Sequence, residues 1–179
     1  MELLVIAATA RELECATDAA TLACGIGPVE AAAVTGRALA ELRPDAVLHV
    51  GLAGGRGVPA GKLVLGSEAL YCDLHADVHV ARRTLPDEEL LAAARAALPD
   101  ALVQPIGTSA AVGGTTGCDV EAMEGFAVLR AAELAGVPAV ELRAVSNEIG
   151  EADRSRWRFE DGLAALEAAV PRLIARLDG

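Results

Sequence analysis

Ala46-Val47-Leu48-His49-Val50-Gly51-Leu52-Ala53-Gly54-Gly55 decides the fold. Its first half is an apolar run broken only by His49, the pattern of a strand covered on both faces. Its second half is a glycine-rich turn where backbone amides can approach a small ligand without side-chain obstruction. The turn has no GK[ST] ending and no GxGxxG spacing, so neither a Walker nucleotide loop nor a dinucleotide fingerprint is present. His49 on such a strand is expected to be a hydrogen-bonded structural residue.

Working outward, residues 3–8 form a second continuous apolar run, and 21–24 a short strand. Gly25-Ile26-Gly27-Pro28 turns into a helix with Pro28 at its first position. Val29, Ala33, Gly36 and Ala40 fall on one stripe of it, and Pro44 stops it. Residues 62–71 read as a strand or a bent pair interrupted near Gly66. Asp87 to Leu98 has helical spacing, and Leu102 to Ile106 is a short strand. A helix over Glu124–Ala135 ends at Gly136, with Pro138 just beyond. A strand from Val140 to Val145 delivers Ser146 and Asn147 at its carboxyl end. The last helix, 161–177, buries Leu163, Leu166, Val170, Leu173 and Leu177, and Pro171 is expected to kink or divide it.

This alternation predicts a single α/β domain over residues 1–179, with a mostly parallel or mixed sheet flanked by helices. In such sheets ligands collect beyond the carboxyl ends of the strands. Glu12, the glycine turn after residue 50 and Asn147 all fall at such ends.

The chain carries 15 Lys and Arg against 26 Asp and Glu, a formal charge of -11, which disfavours nucleic acid and anionic membranes as partners. Hydrophobic residues make up 53%, too many for a disordered chain. With only two Phe, one Tyr and one Trp, the core has to be built from small and aliphatic side chains. Cys15, Cys24, Cys72 and Cys118 lack CxxC spacing, so reduced buried thiols are expected rather than structural zinc. The amino terminus has no basic lead-in and is soon interrupted by Glu12 and Glu14, so it reads as a core strand, not a signal peptide. No uncharged apolar run reaches membrane-spanning length, and a soluble cytoplasmic protein is expected. Asp73, His75, Asp77 and His79 alternate, but a solvated edge accounts for them better than a metal site. No cofactor is indicated.

Two carboxylates are the main candidates for chemistry. When a sugar–base bond breaks, positive charge builds on the ribose ring, and a nearby carboxylate stabilises it. A second carboxylate can hold a sugar hydroxyl or orient the attacking water. Glu124 also has the ordinary explanation of a first-turn glutamate favoured by a helix dipole, and Glu12 that of a solvated loop residue.

Five short motifs shift that balance. Val5 to Glu12 resembles the opening of the purine nucleoside phosphorylase and nucleosidase superfamily. Gly25-Ile26-Gly27-Pro28-Val29-Glu30, Gly51 to Gly55, Val120-Glu121-Ala122-Met123-Glu124-Gly125 and Arg143-Ala144-Val145-Ser146-Asn147 resemble its later signatures, in the right order. Within that superfamily Asn147, where methylthioadenosine/S-adenosylhomocysteine nucleosidases usually carry Asp, is similar to the futalosine hydrolases. So is the tail containing Asp153, Arg154 and Trp157.

The resemblance implies a nucleoside phosphorylase-like fold, a small nucleoside substrate, hydrolysis of an N-glycosidic bond and a homodimer. It implies that Glu12 activates water, that Glu124 beside Met123 holds the ribose hydroxyls, that Asn147 bonds the leaving base, and that Gly54 lines the sugar side. Arg143, Arg154 and Arg156 are candidates to meet a substrate carboxylate, with Arg154 favoured. Trp157 and Phe126 are candidates to cover a base or an aromatic ring. For such an enzyme the stretch from about 75 to 115 is short. The alternatives are a methylthioadenosine/S-adenosylhomocysteine nucleosidase and a noncatalytic nucleoside-binding homolog. Ser109 and Ser146 have no His–Asp relay in motif form.

Overall fold

A computed structural model describes residues 1–178 of the chain. Among them are eight strands: β1 (Leu3–Ala7), β2 (Ala20–Ala23), β3 (Ala46–Gly55), β4 (Leu63–Tyr71), β5 (Arg83–Thr84), β6 (Leu102–Thr108), β7 (Val120–Ala122) and β8 (Ala139–Glu148). Four α-helices accompany them: α1 (Pro28–Leu42), α2 (Glu88–Ala97), α3 (Gly125–Ala135) and α4 (Phe159–Leu177). Short 3-10 turns occupy Ala10–Leu13 and Arg154–Arg156.

All strands join one mixed sheet in which β3 is central. It pairs in parallel with β1 on one side and with β8 on the other. β8 then pairs antiparallel with β4, β4 parallel with β6, β6 parallel with β7, and β7 returns antiparallel to the end of β3. The sheet therefore closes a circuit of five strands, a feature that residue periodicity did not show. Ala53, Val64, Ile106, Val120, Ala122 and Val145 fill its interior, small enough to suit so tight a ring.

Strand alternation sends the two faces of β1 and β3 into separate cores. Leu3, Val5, Leu48 and Val50 pack with α2 and α4. Leu4, Ile6 and Val47 pack with α1 and α3. The uninterrupted apolar runs were thus the signature of helices on both faces.

Gly51–Gly55, expected as a turn after a strand ending at Val50, continues β3 to its end instead. The outward face of α1 holds Val29, Ala33, Gly36 and Ala40, while Ala31, Thr35, Ala38 and Leu39 are buried. So much Ala and Gly makes both faces of this helix apolar, and periodicity cannot choose between them. Of the two readings of residues 62–71, the single strand holds, and its pairing register shifts between Gly66 and Ala69. α4 is not divided at Pro171, which is exposed to solvent; Leu166, Val170, Leu173 and Leu177 are buried as expected, whereas Leu163 is only half-buried and lines a cavity. No helix among the described residues is long and apolar enough to cross a membrane. The segment holding Asp73, His75, Asp77 and His79 is not a strand, and no metal-binding cluster occurs among the described residues.

Candidate active site

The carboxyl ends of β3 and β8, the β7–α3 junction and the turn after β1 meet at one end of the sheet. A cavity of about 130 Å³ opens there. Gly54, Met123, Glu124, Asn147 and Trp157 line it, together with Glu121 and Ser146. Five of the eight residues singled out from the sequence are thereby brought together. The site was legible because each of the five sits where a strand ends or a helix begins.

Glu124 precedes α3 and is buried, with one carboxylate oxygen accepting from the Gly27 amide at 3.1 Å. The other faces Nη1 of Arg143 at 3.5 Å. Asn147 is oriented by its neighbours: Ser146 Oγ donates to its Oδ1 at 2.9 Å, and its Nδ2 donates to the Glu148 carbonyl at 3.2 Å. Glu121 was missed. Its Oε1 accepts from the Gly113 and Gly114 amides, and its Oε2 from Thr116 Oγ1, so it holds the 109–117 loop as a wall of the cavity. The sequence signal was its place two residues before Met123, on a strand too short to show alternation.

Glu12 approaches the same place from behind β3. The turn after β1 is capped reciprocally at Thr9, whose amide and hydroxyl both donate to Glu12 Oε2, at 3.0 and 2.7 Å. Glu12 Oε1 accepts from the Leu52 amide at 2.9 Å. The carboxylate opens into a neighbouring cavity of about 230 Å³ between that turn and α4. At position 51 only glycine fits beside Glu12 and Arg143, because a Cβ there would collide with Arg143 Nη1 and come within 3.0 Å of Glu12 Oε1. Glu12 and Glu124 both act on the charge of Arg143. The segment Trp157–Glu160 divides their cavities: Trp157 and Phe159 line one, and Glu160, paired with Arg11, lines the other.

Two expectations fail on position. Arg143 cannot meet a substrate carboxylate, because its guanidinium is wholly buried among Glu141, Glu124 and His49. Those partners come from β8, from the start of α3 and from β3, a convergence no local pattern reveals. Phe126 lies away from the cavity, stacked on Tyr71 at 5.3 Å beneath a groove between α1 and α3. Arg156 is paired with Glu151, whereas Arg154 stands over the Trp157 ring at 5.4 Å and has no carboxylate partner among the described residues.

Residues 16–118 and 114–178 match the phosphorylase superfamily. A futalosine hydrolase of Streptomyces coelicolor is 37% identical over 88% of this chain and 79% of its own length. The chain belongs to the phosphorylase superfamily. Within that superfamily it is closely related to futalosine hydrolases. A futalosine hydrolase of Thermus thermophilus is 46% identical over a shorter stretch, 35% of this chain and 28% of its own. The fold agrees. A 5'-methylthioadenosine/S-adenosylhomocysteine nucleosidase of Neisseria meningitidis superposes with a TM-score of 0.84 at 21% identity, over 97% of this chain and 99% of that one. A shared fold does not fix an activity; the side chains at this end of the sheet do.

Proposed function

We propose that the chain is a cytoplasmic nucleoside-hydrolysing enzyme whose substrate is futalosine. It would cleave the N-glycosidic bond to release hypoxanthine and leave the dehypoxanthine nucleoside, a step of menaquinone biosynthesis. One observation carries the choice of hydrolysis. Glu121, Glu124, Ser146 and Asn147 supply the polar groups of the cavity, and no Lys or Arg lines it. Such a site repels inorganic phosphate and favours a neutral nucleophile beside a developing ribosyl cation.

In this mechanism Glu124, fixed by Gly27 and Arg143, accepts hydrogen bonds from the ribose hydroxyls. Gly54 and Met123 form the sugar side. The Asn147 amide donates a hydrogen bond to the leaving base, but it has no proton to transfer at neutral pH. Cleavage is dissociative: the base departs with the bonding electron pair, water aligned by Glu12 adds to the ribosyl cation, and the proton that water loses passes to the Glu12 carboxylate and from there, through solvent, to the hypoxanthine anion. Trp157 covers the base or the benzoate ring, and Arg154, stacked behind it, meets the substrate carboxylate. Each cavity is smaller than the ~300 Å³ at which ligand pockets usually begin, so Trp157–Glu160 has to yield for a nucleoside to bridge Glu12 and Glu124. A second copy of the chain, as the family resemblance implies, covers the groove between α1 and α3.

Futalosine and methylthioadenosine offered side by side, with and without phosphate, test this. Phosphate-independent release of hypoxanthine supports it. Adenine release from methylthioadenosine alone would move the substrate, and tight binding without base release would leave a noncatalytic homolog. Arg154→Ala should raise KM for futalosine about tenfold, roughly the 1.4 kcal/mol of one carboxylate contact, with kcat little changed. An unaltered KM would remove Arg154 from the site.

A further inference from the structure

Behind the cavity lies a buried polar chain to which the proposed hydrolysis assigns no task. Every nitrogen of the Arg143 guanidinium is engaged. Nε donates to Glu141 Oε1 at 2.8 Å, and Nη1 contacts the Leu52 carbonyl at 3.3 Å and Glu124 Oε2 at 3.5 Å. Nη2 lies 2.5 Å from His49 Nε2. A guanidinium only donates, so His49 Nε2 has to offer its lone pair and the ring proton sits on Nδ1. That proton is directed to the Ile6 carbonyl, 3.0 Å from Nδ1. Burial, reinforced by the Arg143 charge, holds His49 far below the usual imidazole range and keeps it neutral.

Glu141 stands two residues before Arg143 on β8, so both side chains leave the same face of the strand. It is fully buried, and its Oε2 has no hydrogen-bond partner among the described residues. The room it occupies is left by glycines. A Cβ on Gly125, the residue after Glu124, would come 2.7 Å from Glu141 Oε2, and one on Gly66 would come 3.4 Å from the same oxygen. A buried carboxylate with an unsatisfied oxygen, in a cluster with more carboxylates than cations, is a poor device for stability. Apolar residues of similar volume usually serve folding as well or better. What this cluster does provide is a fixed direction for Arg143.

We propose that Glu141 and His49 are positioning residues that aim Arg143 at Glu124 and at the Leu52 carbonyl of β3, setting the carboxylate geometry of the cavity from one layer behind it. The proposal builds on the nucleosidase assignment of that cavity. The control acts through Arg143, since neither Glu141 nor His49 lines the cavity.

Two pairs of variants test it. Glu141→Met fills the space without an acceptor, whereas Glu141→Gln keeps an oxygen for Arg143 Nε. His49→Leu and His49→Gln form the matching pair for Nη2. Positioning predicts that the Met and Leu variants lose at least thirtyfold in kcat for hypoxanthine release, with KM within threefold and melting temperature near that of the parent. Each Gln variant should recover most of the rate. Full activity in Glu141→Met, or a Gln variant no better than its apolar counterpart, overturns the proposal.

A readout independent of turnover is the Arg143 Nε–H signal in nitrogen-15-labelled protein. It should be protected from solvent exchange in the parent and in Glu141→Gln, and unprotected or shifted in Glu141→Met. Unchanged protection in Glu141→Met overturns positioning. If the parent releases no hypoxanthine, it is the substrate assignment that fails, and the Nε–H signal still decides the role of Glu141. If Glu141→Met does not fold, the His49 pair decides in the same way.

Discussion

His49 is a wholly buried imidazole whose hydrogen-bond partners among the described residues are the Arg143 guanidinium and the Ile6 carbonyl. Its proton affinity is depressed in the folded protein by burial and then by the Arg143 charge, relative to an ordinary value of 6.5. Below that pH the unfolded chain takes up a proton that the native protein refuses. Its contribution to stability is therefore complete above about pH 6.5 and is lost as the pH falls toward the depressed folded value, at about 1.4 kcal/mol per pH unit. Glu141 acts with the opposite sign, because burial pushes its carboxyl up and the folded protein takes that proton first. The difference between parent and His49→Gln isolates the imidazole. Denaturant unfolding between pH 5 and 7 should show the parent losing stability more steeply than the variant on acidification, by about one proton's worth. Parallel pH dependences would mean that His49 is charged in the native state. This neutrality was hidden in the sequence. His49 was legible as a structural histidine from its strand, but the arginine beside it comes from 94 residues later in the chain.

The helices show how far local chemistry reaches. α2 was readable to within a residue at each end because Asp87 caps it, its carboxylate accepting from the Glu89 and Leu90 amides at 3.0 and 2.9 Å. Asp87→Ala should lower stability by about 1 kcal/mol in denaturant titrations, through loss of that cap. No change would mean that packing of Leu90 and Ala94 alone fixes the helix start. α3 was equally legible from Gly136, which adopts the left-handed conformation at its end. α1 was placed correctly, yet the stripe of Val29, Ala33, Gly36 and Ala40 is its exposed side. Ala and Gly contribute too little contrast between faces, and what selects one is the sheet beneath, which no single helix encodes. The return of β7 to β3 was invisible for a similar reason: the strand has three residues. The candidate site survived these errors because its residues sit at element ends, which turns and caps announce.

The molecule as a whole is acidic, with a formal charge of -11, yet it exposes an apolar groove between α1 and α3. Val29 and Leu134 on its walls are 78% and 71% exposed. Apolar surface of this kind on a monomer marks an interaction site. Sedimentation velocity at micromolar concentration should give a dimer for the parent and a monomer for Leu134→Glu. A monomeric parent would leave the groove for another partner. The same closed sheet that offers this groove on its flank gathers Glu12, Glu124 and Asn147 at its end. Incubation with futalosine, following hypoxanthine release in the parent and in Glu12→Gln, tests whether they act together. Hydrolysis at that end of the sheet predicts release without phosphate, and a loss in Glu12→Gln of at least a hundredfold in kcat with KM changed only a few-fold. No release by the parent, or equal turnover by Glu12→Gln, would contradict it.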